Sequence, residues 1–287
     1  VADLAGSPGS PGGPGSSGRS GRPGRAGNSG PVWTIVLAGG GGTRFGGPKQ
    51  FFDLGGEPLL AHPVAAARAA SDGIVVVVPA GTAGSWSAPP GVRQVTGGTT
   101  RAESVRAGLA AVPADAGVIV ITDAAHPLAT PALYQRVVDE VRAGADAAVP
   151  GLPLTEVVKE IRVADEIRVA DEIRSADEIR PAAGGLGPSP RLVAGASLPR
   201  ETHRLVQTPH AFRADLLRSV HAGAHEAVED SAMVAEAGGL VVVVPGEPAN
   251  IHVTTPDELA MARLLLTHVR SEGESDEFGT GRVHAVR

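Results

Sequence analysis

The stretch Val36–Phe52, VLAGGGGTRFGGPKQFF, sets glycines on both sides of Arg44 and delivers Lys49 directly after Pro48. Glycine carries no Cβ, so main-chain N–H groups in such a turn can approach a phosphate closely, and the N-terminus of a following helix adds partial positive charge. A polyphosphate exchanging one anhydride bond gathers negative charge on the reacting phosphorus and the leaving group. Arg44 and Lys49 on a stiff loop can meet that charge, with Pro48 rigidifying the turn that presents Lys49. The plainer alternative is a pair of surface cations beside a glycine-rich turn. A Walker A loop is excluded because Lys49 is not followed by Ser or Thr. A dinucleotide fingerprint fits poorly, since the spacing is GxGxxxG and no acidic residue closes the second strand, GIVVVVPA. That makes a dehydrogenase a weak reading.

One more side chain stands where chemistry is expected. Asp123 ends the apolar run GVIVITD. A carboxylate at a strand terminus suits a metal–triphosphate, and from the residues alone it suits a helix cap as well.

The elements that must hold these groups read as alternating strands and helices. VWTIVLA, GIVVVVPA, GVIVITDA, DAAVPGLPL and GLVVVVPG are continuous apolar runs rich in β-branched residues, as expected of strands buried on both faces of a largely parallel sheet. EPLLAHPVAAARAA, TRAESVRAGLAAV, TPALYQRVVDEVRAG and DSAMVAEAG carry helical spacing, several behind a Ser, Thr or Asp cap. The order predicts right-handed crossovers and an open three-layer α/β/α sandwich with a mostly parallel sheet. Ligands in such sheets sit beyond the carboxyl ends of the strands, where the glycine loop falls.

Composition narrows the field. The chain of 287 residues contains no cysteine, which excludes disulfides, thiolate zinc sites and cysteine nucleophiles. A formal charge of −6 gives no general attraction to nucleic acid, and 3% aromatic residues argue against base-stacking platforms. No apolar stretch approaches a membrane span, and a soluble cytoplasmic protein is expected. The first thirty residues are nearly all Gly, Pro, Ser and Arg and read as a disordered tail with no apolar run like that of a signal peptide. After Lys159 the chain runs EIRVADEIRVADEIRSADEIR, then PAAGGLGPSP. A six-residue repeat is no helical period, so its isoleucines would spiral around a helix, and it reads as a charged, solvated insertion with no catalytic part.

LAGGGGTRFGGPKQF resembles the nucleotide loop of the Rossmann-like nucleotidyltransferases, in particular the 2-C-methyl-D-erythritol 4-phosphate cytidylyltransferase family. The resemblance extends through GGTTRAESVRAGL, ITDAAHPLAT, VQTPHAF and NIHVTTPDELAMA, from about Val32 to Leu266 apart from the hexads. It implies nucleotide contacts at Ala38, Gly39, Gly40, Gly42, Gly98 and Ser104, with Arg44 and Lys49 stabilising charge and Asp123 close to Mg²⁺ and the acceptor. It also implies a homodimer clasped through a projecting arm, from which Arg200 reaches the partner's acceptor phosphate. The expected layout is a tail over 1–31, a cytidylyltransferase domain over 32–270 with the hexads inserted at about 160–190, and a flexible tail over 271–287.

The acceptor side departs from that family. His126 stands where it has an arginine, His252 where a lysine reaches the phosphates, and Thr99 where Asp is usual. Val157 and Val228 replace two threonines that grip the acceptor's phosphate, and Thr155 lies two residues out of step. Arginine stays charged at every working pH, whereas an ordinary histidine is mostly neutral at pH 7, although a triphosphate nearby favours the charged form of His252. The resemblance implies CMP transfer from CTP to 2-C-methyl-D-erythritol 4-phosphate. The departures leave two alternatives, another small polyol phosphate or phosphonate as acceptor and a CTP-binding homologue without turnover.

Overall fold

The computed structural model describes residues 28–40, 45–82, 84–163, 192–223 and 229–277, with side chains as far as 267 apart from that of Val163. In chain order the elements are β1 (Val32–Leu37), β2 (Asp53–Leu54), β3 (Glu57–Pro58), α1 (Ala61–Ala67), β4 (Gly73–Val78), β5 (Val92–Thr96), α2 (Arg101–Ala111), β6 (Val118–Asp123), α3 (Pro131–Arg142), β7 (Ala147–Pro153) and β8 (Lys159–Val163). They continue with β9 (Leu192–Ser197), β10 (Arg204–Val206), β11 (His210–Arg213), α4 (Ala214–Val220), α5 (Asp230–Glu236), β12 (Val241–Pro245) and α6 (Pro256–Glu277).

Strands β5, β4, β1 and β6 run parallel and in that spatial order. Their period-two alternation splits the same apolar runs between two cores. Val36, Val76 and Val120 pack with α1 and α3, while Ile35, Val75 and Ile119 pack with α2 and α4. That division produces the expected three layers. Close approach within the sheet has a local requirement, since a Cβ on Gly73 would lie 2.4 Å from the Trp33 ring.

The mostly parallel sheet is as expected and carries two antiparallel strands, while two expectations, for β12 and for the first helix, need correction. β11 enters antiparallel between β6 and β7, and β10 also pairs antiparallel with β7, so the parallel order is interrupted. Among the described residues β12 pairs with β7 alone, as an edge strand with Val243 51% exposed, rather than buried on both faces. The helix read from Glu57 starts at Ala61, because Glu57 and Pro58 close a hairpin with β2 around Gly55 and Gly56, both at positive φ.

The packed body also begins before Val32. Asn28 is buried, and its side-chain amide donates to the Val141 carbonyl at 2.7 Å, satisfying a C-terminal group of α3. At the other end α6 continues past 270 to Glu277. A third small core, Leu54, Leu59, Val253, Leu259 and Ala262, fixes α6 and the preceding loop against the β2–β3 hairpin. β8 and β9 form their own antiparallel pair, the base of the expected arm. The hexads beyond Val163 lie outside the described residues.

Candidate active site

β1 delivers its chain to the carboxyl edge of the sheet, where Ala38 N–H donates to the Val77 carbonyl at 2.8 Å and Gly39 and Gly40 emerge into solvent. Gly42 and Arg44 lie outside the described residues. The loop resumes at Phe45 and closes in a short 3-10 turn, Lys49–Phe51, behind Pro48 at φ −70°. Lys49 Nζ donates to the Val253 carbonyl at 2.7 Å and so ties the loop to the segment before α6.

The opposite wall is the start of α2. Thr100 caps the helix in a reciprocal capping box with Glu103, and the Glu103 carboxylate also accepts from the Thr99 hydroxyl and N–H, both at 2.6 Å. The Thr99 donors lead the effects that hold this carboxyl below its ordinary range. A Cβ on Gly98 would lie 2.2 Å from Glu103 Cβ, so the folded-back glutamate requires glycine there. Ser104 Oγ donates to the Thr100 carbonyl at 3.0 Å.

The floor is the end of β6. Asp123 N–H donates to Thr208 Oγ1 at 3.3 Å, while its carboxylate has no hydrogen bond or ion pair among the described residues. Thr208 Oγ1 also lies 3.1 Å from His126 Nδ1. Two backbone links fasten the neighbouring segments, His126 N–H to the Asp123 carbonyl at 3.0 Å and Val253 N–H to the Ala125 carbonyl at 2.7 Å. The imidazoles of His126 and His252 stack between them. Burial first, then the charges of His252, His210 and Lys49, push the pKa of His126 down to about 3, so it is neutral.

These walls enclose a cleft of about 360 Å³. Ala38, Gly39, Gly40, Lys49, Gly98, Ser104, Asp123 and His252 all line it, drawn together from four separate stretches of sequence. His126 sits behind His252 and does not line it. Arg200 is exposed at the arm, donates to the Thr155 carbonyl at 3.0 Å and is likewise outside the cleft wall. Val228 is outside the described residues, and Val157 is 56% exposed.

The sequence reading passed over Arg101, which lines the cleft one residue after the helix cap. Its Nη2 donates to Asp230 Oδ2 at 2.7 Å, and Asp230 Oδ1 lies 2.9 Å from His221 Nε2. Burial alone would raise the Asp230 pKa. Hydrogen bonds from His221 and Arg101 outweigh it and hold the carboxyl at about 2. The TTRAESV stretch offered a signal for Arg101, a cation opening a helix at the carboxyl edge of the sheet. Nothing marked Asp230 as its partner across 129 residues.

A mostly parallel α/β sheet whose carboxyl edge gathers a glycine turn, a lysine and a carboxylate with no hydrogen-bond or ion-pair partner among the described residues defines a nucleotidyltransferase of the Rossmann-like kind. The chain belongs to the 2-C-methyl-D-erythritol 4-phosphate cytidylyltransferase family, whose model, described as IspD, matches residues 32–176 and 188–268. It is similar to the 2-C-methyl-D-erythritol 4-phosphate cytidylyltransferase of Nocardia farcinica, 40% identical over 245 residues that span 83% of this chain and 94% of that protein. The same enzyme of Rhodococcus jostii is 37% identical over 83% of this chain and 96% of its own length. The crystal structure of 2-C-methyl-D-erythritol 4-phosphate cytidylyltransferase from Thermus thermophilus matches with a TM-score of 0.61 at 29% identity, covering 82% of this chain and 98% of that one.

Proposed function

We propose that the chain transfers CMP from CTP to 2-C-methyl-D-erythritol 4-phosphate with release of pyrophosphate. The observation that carries this reading is the convergence of Lys49, Asp123 and His252 on one cleft beside the glycine turn. An oxygen of the acceptor's phosphate attacks the α-phosphorus in line, one P–O bond forms, and the bond to pyrophosphate breaks. The turn at Gly39, Gly40 and Gly42 holds the triphosphate, with Gly98 and Ser104 on the nucleoside side. Lys49, with Arg44, meets charge developing on the α-phosphate and leaving group, so catalysis is chiefly positioning and charge stabilisation.

The cleft suits a divalent cation bound together with substrate. Among the described residues, the Asp123 carboxylate has no hydrogen-bond or ion-pair partner, and no cluster of three or more His, Asp or Glu side chains able to hold a metal alone occurs. Asp123 would hold Mg²⁺ jointly with the nucleotide's phosphates and water, and the ion would offset negative charge on those phosphates. No helix among the described residues is long and apolar enough to cross a membrane. A cytoplasmic homodimer is part of the reading. Val157, Ile161 and Leu192 are 56%, 63% and 59% exposed at the arm, an apolar surface suited to a second copy, through which Arg200 would serve the partner's acceptor site.

One feature favours a second acceptor class, another small polyol phosphate or phosphonate. His126 is neutral and stacked rather than cationic, so this chain grips an acceptor's phosphate with less fixed charge. Incubating the protein with CTP, Mg²⁺ and a panel of polyol phosphates and phosphonates, and following pyrophosphate, separates the readings. Methylerythritol phosphate is expected to release pyrophosphate fastest. Release no faster than with CTP alone overturns the assignment.

A further inference from the structure

Residues 246–254, which carry His252 to the cleft, form neither helix nor strand, so their backbone groups must find partners outside a ladder. One side chain supplies three of them. Gln207, 5% exposed, donates from Nε2 to the carbonyls of Glu247 and Asn250, both at 2.8 Å, and accepts at Oε1 from the Glu247 N–H at 2.9 Å. Asn250, fully buried, answers in the other direction, its Nδ2 donating to the Thr208 carbonyl at 2.8 Å. The Glu247 carboxylate fastens the start of the segment to Thr130 at the head of α3.

The adjacent residues Gln207 and Thr208 therefore hold both rings of the histidine stack. Thr208 Oγ1 lies 3.1 Å from His126 Nδ1, and the Thr208 carbonyl, through Asn250, anchors the chain shortly before His252. On the far side the Val253 N–H is pinned to the Ala125 carbonyl at 2.7 Å. His252 is exposed, yet it sits on a short span with both ends fixed. Packing alone does not account for Asn250. Its Oδ1 is buried without a hydrogen-bond partner among the described residues, a cost that an apolar side chain of the same shape would avoid. What the amide provides is the donor that sets the segment's place relative to Thr208.

We propose that Gln207 and Asn250 are positioning residues that hold the His252 ring in the cleft wall, over His126, where it meets the phosphates of the bound nucleotide. They act through His252 and touch no substrate. The Lys49 contact has its own support in the link from Val253 to Ala125. The inference rests on the proposal that the cleft takes CTP.

Proton NMR of the imidazoles in the full chain without ligand, together with steady-state rates, tests it. His252→Ala identifies the His252 signals among those of the nine histidines. In the parent these signals should be shielded by the facing His126 ring. Asn250→Leu, which nearly keeps the side chain's shape, and Gln207→Met should bring them towards free-imidazole positions. Each should lower kcat by about tenfold or more with a smaller change in KM for CTP, the pattern of lost positioning. In a His252→Ala background the same substitutions should cost little further. Should Gln207→Met fail to fold, Asn250→Leu carries the test. Unshifted His252 signals in a folded Asn250→Leu, a parental rate in that variant or in His252→Ala, or a rate loss that adds in full to that of His252→Ala overturns the inference while leaving CTP as the nucleotide. Failure of the unmutated chain to bind CTP overturns the functional reading beneath it, and the imidazole signals then still report whether the clasp holds the ring.

Discussion

The rings of His126 and His252 lie face to face, with centroids 4.6 Å apart and planes 3° from parallel. The two members differ in surroundings. His252 lines the cleft, while His126 is 6% exposed behind it and touches Thr208 through Nδ1. The buried ring is a neutral platform, and the exposed ring is the one that a phosphate can charge.

The buried ring makes stability depend on pH. Its folded pKa of about 3 lies well below the ordinary histidine value of 6.5, so between these values the unfolded chain binds the extra proton and folding loses ground as pH falls. At pH 5 the penalty is about 2 kcal/mol, growing by about 1.4 kcal/mol per further unit until pH nears the folded value. His126→Gln should flatten the fall in urea midpoint between pH 6.5 and 4.5. Part of the slope will remain, since burial also lowers the pKa of His210. The Asp230 contribution is lost only lower, as pH falls below about 4 towards its folded value of about 2. Equal slopes for parent and variant over that window count against the neutral, buried His126.

Lys49→Ala is expected to lower turnover by about a hundredfold or more in a protein that still folds, the scale of a lost donor at a developing charge. The same is expected of Arg44→Ala on the neighbouring stretch. Lys49 Nζ also anchors the Val253 carbonyl, so the lysine variant should disturb the His252 segment as well. Pyrophosphate release at a near-parental rate by either folded variant would remove these residues from the chemistry.

Deleting Val163–Arg180 should leave CTP affinity unchanged and alter at most the dimer. None of the described residues of the arm lines the cleft, and β8 and β9 pair with each other apart from the main sheet. Calorimetry and light scattering on the shortened chain check this, and loss of CTP binding by a folded deletion variant would make the repeat part of the site.

The centre of the sheet was more legible than its edges. β1, β4 and β6 announce themselves because all three are enclosed by helices on both faces, so nearly every position is apolar. β5, VRQVT, and β11, HAFR, lack that signature, being a half-exposed edge and a four-residue insert stabilised by its neighbours. GLVVVVPG misled in the opposite direction, since a run of valines does not say whether anything covers its second face. Lys49 stood out in its local motif, Asp123 only as one of two readings, and Ser104 only through the family resemblance. Arg101, Asp230 and His221 could not be joined, because their relation exists only once α2, α4 and α5 share one layer.

His252 offers the sharpest test of how this chain handles phosphate. Only its protonated form adds positive charge to the cleft, and histidine is the side chain whose ordinary titration falls nearest neutral pH. If that charge serves the phosphates, the rate must fall as pH rises and the proton leaves. The neutral His126 beneath it cannot replace the charge, because burial keeps that ring unprotonated across the whole working range. His252→Lys should therefore extend activity to higher pH and raise the rate, provided the ammonium group reaches the cleft without the stack to orient it. His252→Ala should be slow at every pH and show no histidine-dependent limb. If Lys49 and Arg44 supply all the needed charge and His252 merely covers His126, the alkaline limbs of parent, His252→Lys and His252→Ala will coincide. Rate–pH profiles for the three, taken at saturating CTP so that chemistry rather than binding is followed, decide between these outcomes.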